Sequence, residues 1–141
     1  MCAEAARGPT AGLEVAVTRL AGALRRLDLG RLSRPPRLAP RDGGSSLDEG
    51  DSVADRAYLL SCALAALQAD AGDDAALRGA GPGESAPRPP RLGDHGSADQ
   101  LEVVGRDAVA ALHDSAASAS ADVVAQVVGL TEQLRELRLQ L

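Results

Sequence analysis

The stretch that decides the fold is residues 97–141, SADQLEVVGRDAVAALHDSAASASADVVAQVVGLTEQLRELRLQL. Within it Val109, Leu112, Ala116, Ala119, Val123, Val127, Leu130, Leu134, Leu137 and Leu141 follow one another in steps of three or four. On a helix of 3.6 residues per turn such steps keep all ten on one face. The spacing therefore predicts a helical arm with a coiled-coil-like apolar seam. Two fours in succession at Ala119, Val123 and Val127 form a stutter, which unwinds a left-handed supercoil locally. At the start of the arm, Ser97 with Gln100 three residues on has the form of a capping box, and Asp99 suits the first turn of a helix. Glu102 four residues before Arg106 adds a supporting pair.

Unbroken, the arm would run for about 45 residues and roughly 65 Å, too long to cover its own seam. The weak place is residues 115–121, Ser-Ala-Ala-Ser-Ala-Ser-Ala. There the seam residues are small and the serines compete for backbone hydrogen bonds. Two readings stay open: close approach of a second helix without a break, or a hinge that folds the arm into a hairpin.

Two further apolar periods lie upstream. Leu13, Val17, Leu20, Leu24 and Leu27 predict a helix over residues 10–30, with Gly30 as its stop. Val53, Ala57, Leu60, Leu64, Leu67 and Ala71 predict a second over residues 52–71, opened by Ser52 and Asp55 at capping-box spacing. Residues 57–67 are apolar almost all round, so this helix is expected to be central, wrapped on several sides. Residues 1–9, 31–51 and 72–96 lack periodicity and are rich in Pro, Gly, Arg and Ser, and read as a disordered N-terminus and two flexible linkers. Each linker contains Arg-Pro-Pro-Arg-Leu, at residues 34–38 and 88–92. The second copy has the PxxP-Arg form that aromatic-lined grooves accept, although an Arg/Pro-rich linker produces the same letters by composition. The expected fold is all-α: a short helical bundle with a long C-terminal coiled-coil-like helix.

Composition limits the interior. The 141 residues include no Phe or Trp and one Tyr, so a core of Leu, Val and Ala buries less area per residue than an aromatic one. Positive charge comes from Arg alone, in a chain without Lys, Ile or Asn, a bias that a GC-rich gene accounts for. The formal net charge of −5 disfavours nucleic acid as a partner. Cys2 and Cys62 form no disulfide framework. No run has the length of a membrane span or the pattern of a signal peptide, which leads to the expectation of a cytoplasmic or nuclear protein.

No catalytic constellation emerges. His95 and His113 have no Cys, carboxylate or second His at metal-binding or triad spacing, and the Gly-rich pieces do not join a strand to a helix as a phosphate loop does. No enzyme activity, small-molecule substrate, metal or cofactor is expected. The seam residues Val123, Val127, Leu130, Leu134, Leu137 and Leu141 are the candidate interface, pairing with a second copy or another protein in an interaction subunit or adaptor. The basic block Arg25, Arg26, Arg31, Arg34, Arg37 and Arg41 is a candidate contact for an anionic partner. It is the discriminating feature of an alternative function, a regulator that sequesters a transcription or signalling factor through its apolar helices and this Arg-rich segment, unless the acidic stretch that follows neutralises the block.

Overall fold

The computed structural model describes residues 8–36, 52–71, 88–115 and 120–141. These are helical with no strand among them. Four long helices, α1 (Pro9–Leu24), α3 (Val53–Ala71), α4 (Ser97–Asp114) and α5 (Ala121–Leu139), are joined by the single turn α2 (Leu29–Leu32) and a 3-10 turn at Asp94–Gly96. The predicted linkers and N-terminus lie mostly outside the described residues, at 1–7, 37–51 and 72–87.

Each helix begins and ends for a local reason. Pro9 occupies the first turn of α1, where its missing N–H costs nothing. The helix stops at Leu24 rather than continuing to Gly30, because Asp28 captures the chain: its Oδ1 accepts from the Arg31 amide at 2.7 Å and starts α2. At α3 the expected box forms, with Ser52 N–H donating to Asp55 Oδ2 at 3.1 Å and Asp55 N–H to Ser52 Oγ at 3.1 Å. At α4 it does not. That helix grows out of the 3-10 turn, Ser97 Oγ donates to Asp94 O, and Gln100 donates to Pro90 O instead of reaching back to an orphan amide.

The 97–141 period is divided between two helices. Ser115 ends α4 and Ser120 begins α5 by accepting the Val123 amide at 3.3 Å. Residues 116–119 lie outside the described residues. The nineteen-residue α5 is a long way from a 45-residue rod, and the reason is in the sequence: the break falls on the Ser/Ala run, where side chains bury little and serine caps a new helix as readily as it continues an old one.

The helices form a square in which α1 and α3 each pack on both α4 and α5, with α3 against α4 the most extensive pairing. Cross-links fix their directions. Arg25 pairs with Asp99 while Val17 meets Gly105, so α1 and α4 are antiparallel. Gly12 lies over Thr131, and Arg31 reaches the Gln140 carbonyl at 3.3 Å, so α1 and α5 run parallel. The starts of α3 and α4 meet at one end of the bundle, beside the end of α1. There Arg34 O accepts the Val53 amide at 2.8 Å and Ser33 Oγ donates to Asp94 at 2.9 Å.

One core fills the square: Leu13, Val17, Leu20 and Leu24 from α1, Leu60, Leu64 and Leu67 from α3, Leu101, Ala108 and Leu112 from α4, and Val127, Leu130, Leu134 and Leu137 from α5. On α3 only Leu59 and Asp70 are exposed, in keeping with its all-round apolar sequence. Two polar side chains enter the interior and return their hydrogen bonds to their own helix, Ser61 Oγ to Ala57 O and Thr131 Oγ1 to Val127 O.

Two glycines separate packing from propensity. A Cβ on Gly105 would lie 2.5 Å from Val17 Cγ1 and 2.9 Å from Cγ2. The β-branched Val17 cannot turn both methyls away, so α1 and α4 would have to move apart. Gly129 faces open space. Gly105→Ala is expected to destabilise the fold by about 1–3 kcal/mol through overpacking, a loss that Val17→Ala in the same chain partly recovers. Gly129→Ala is expected to stabilise it by up to about 1 kcal/mol through helix propensity. Urea unfolding of the variants checks both signs, and a stabilised Gly105→Ala would show that α1 and α4 do not touch there.

Candidate interaction surface

The sequence-predicted interface residues fall into two groups. Val127, Leu130, Leu134 and Leu137 are buried in the core, and Val123 and Leu141 are half-buried against it. The seam of α5 is thus engaged within the chain by α1 and α3.

Next to that seam α5 has a second apolar row, which lies outside the predicted set. Val124 is 38% and Val128 50% exposed, with Ala121, Ala125 and Gly129 exposed around them. Further along the helix, Arg135, Arg138 and Leu139 face Val15, Ala16 and Arg19 of α1 across a shallow groove of about 200 Å³. The local signal for this row was the spacing of Val124, Val128, Arg135 and Leu139. At about 100° per residue these four lie within roughly 60° of one another on the helix.

The basic block is partly consumed. Arg25 forms ion pairs with Asp99 at 2.6 Å and with Glu102, which also holds Arg106. Arg31 donates to the Pro35 and Gln140 carbonyls. Arg26 and Arg34 are exposed, and Arg37 and Arg41 lie outside the described residues. The neutralising partners of Arg25 come from α4, not from the acidic stretch that follows the block in sequence.

The second Arg-Pro-Pro-Arg-Leu copy is docked on α3. Tyr58 Oη donates to Pro89 O at 3.1 Å, and the Arg91 guanidinium lies 5.6 Å from the centre of the Tyr58 ring while pairing with Asp55. The only aromatic residue of the chain therefore serves as a platform for the chain's own proline segment. The Cys62 thiol beside Tyr58 and partial burial push its phenol up, against the opposing pull of Arg88 and Arg91. The carboxyl of Asp55 lies below the ordinary carboxylate range, held there first by the Ser52 hydroxyl and then by Arg91 and the Ser52 amide, against the opposing effect of burial.

A carboxyl whose pKa is lowered by folding contributes stability above its unfolded value and loses it as the pH falls through the folded value. Asp55→Asn is expected to lower the melting temperature near neutral pH, with the difference from wild type closing as the pH falls through and below the ordinary carboxylate range. Thermal melts of both chains across that range check it; a gap that does not change with pH would leave Asp55 without a charged role.

Both histidines are exposed, and no group of three or more His, Cys, Asp or Glu side chains among the described residues is arranged to hold a metal. No described helix is long and apolar enough to cross a membrane. No known family, curated protein or solved structure matches the chain.

Proposed function

We propose that this chain is a non-enzymatic helical interaction subunit or adaptor that joins a larger assembly by receiving a further helix along α5. The observation that carries the reading is the second row of α5, with Val124 and Val128 exposed beside a seam already covered. Single exposed valines are ordinary on a protein surface. A row flanked by Ala121, Ala125 and Gly129 is smooth enough for another backbone to approach closely, and its apolar area is removed from water only by a partner. Coiled-coil-like pairing then takes place on this outer row, while the seam of Leu130, Leu134 and Leu137 holds α5 to its own bundle.

The test is sedimentation of the full chain with and without Val124→Asp/Val128→Asp, with circular dichroism alongside. Assembly that disappears in the double variant while helix content and melting temperature stay the same supports the reading. A chain that is monomeric and accepts no helical peptide on this face overturns it. The second reading, a regulator that sequesters a transcription or signalling factor through its apolar helices and its Arg-rich segment, has less to draw on. Arg25 and Arg31 are already engaged, which leaves Arg26 and Arg34 among the described residues of the block.

A further inference from the structure

The groove between α1 and α5 has an apolar floor and a cationic rim. Val15, Ala16 and Leu139 supply the apolar surface, Leu139 being 84% exposed, and Arg19, Arg135 and Arg138 surround it. Glu132, 3.3 Å from Arg135, offsets part of that charge. No ion pair among the described residues reaches Arg19 or Arg138. Cations near the end of α5 also suit its exposed carbonyls, which accounts for Arg135 and Arg138 on that helix but not for Arg19, one helix away. In a chain of net charge −5, three guanidinium groups around one apolar groove are a local reversal of sign.

The groove continues the Val124/Val128 row. From residue 124 to residue 139 the strip runs about 22 Å, the length of a four-turn helix. Its arginines gather at the C-terminal end of α5, and its apolar small residues at the other. An extended peptide would find no sheet edge to pair with among the described residues. Two parallel helices instead offer a furrow into which the ridges of a third helix fit.

We infer that this strip docks an acidic amphipathic helix, its apolar face over Val124, Val128, Val15 and Leu139 and its carboxylates at one end, over Arg19 and Arg138. The inference rests on the reading of the outer face of α5 as an interface and adds the chemistry of the partner. Electrostatic complementarity of this kind fixes the register and orientation of the bound helix as well as its affinity.

The experiment uses three fluorescein-labelled amphipathic peptides of about 18 residues, alike in a leucine face and differing in having Glu, Gln or Arg at one end. Each is titrated into the full chain with anisotropy as the readout, alongside phosphatidylserine vesicles. The acidic peptide is expected to bind at least about tenfold more tightly than the basic one, and Arg19→Glu/Arg138→Glu to remove or invert that preference while circular dichroism is unchanged. If the Gln peptide binds as well as the acidic one and Val128→Asp abolishes both, the interface stands and the charge inference is overturned. If no peptide binds, both are overturned. Vesicle binding without peptide binding overturns the inference in favour of a membrane surface.

Discussion

Leu134→Asp is expected to unfold the chain, not to dissociate an intact bundle from a partner. Leu134 is 0% exposed and lies in the shared core. A carboxylate there loses its hydration without gaining a charge partner, which puts the substitution in the rare class costing about 4–5 kcal/mol or more. A domain of this size holds about 5–15 kcal/mol in total, and an interior without Phe or Trp sits low in that range. Circular dichroism should show lost helicity at neutral pH. It should partly return in acid, where the buried carboxyl is neutral and its desolvation cost falls. The comparison with Val124→Asp/Val128→Asp is decisive, because Leu134 lies only six residues beyond Val128 on the same helix, yet it is buried where Val128 is exposed. If Leu134→Asp stayed fully helical and changed only its sedimentation, the seam would belong to an intermolecular interface and the four-helix square would be wrong.

That contrast also shows what periodicity can and cannot deliver. The seam at Val127, Leu130, Leu134 and Leu137 was legible because burial on one helical face requires steps of three and four, whatever does the burying. What covers it was not legible. A period identifies an apolar face and is silent on whether the cover comes from α1 and α3 of the same chain or from another molecule. The break in the arm had a local signal in the Ser115–Ser120 run and the adjacent stutter, since both weaken the continuity of a seam. Its outcome depended on tertiary packing of the two halves, α4 and α5, against α1 and α3.

The misplaced end of α1 has a similar cause. Gly30 is a plausible stop, but Asp28 with an amide three residues on is a stronger local start, and the new turn terminates the old helix. Residues 88–92 read as flexible because proline and arginine carry no period. Their anchor, Tyr58, lies some thirty positions away and is visible only once α3 and α4 begin at the same end of the bundle. The groove of Arg19, Arg135 and Arg138 is nonlocal in the same way: each arginine looks like an ordinary solvated residue on its own helix, and the cluster exists only because α1 and α5 run parallel.

Leu64→Ala is expected to cost about 2–5 kcal/mol, and its pairing with Leu59→Ala on the same helix makes the number interpretable. Both substitutions remove the same atoms and gain the same helix propensity. Leu64 is 0% exposed, at the centre of α3 and within the core, whereas Leu59 is 55% exposed. The difference between the two variants therefore isolates burial and the cavity left behind from everything intrinsic to the helix. Leu59→Ala should stay within about 0.5 kcal/mol of wild type, as surface substitutions usually do. A core of Leu, Val and Ala has no large ring that could swing into the space vacated by Leu64, and α4 and α5 are held apart by α1 on the far side, so little collapse relieves the cost. Urea unfolding with a common slope for the three chains reads the difference directly. Equal stabilities for Leu64→Ala and Leu59→Ala would mean that α3 is not enclosed by α4 and α5.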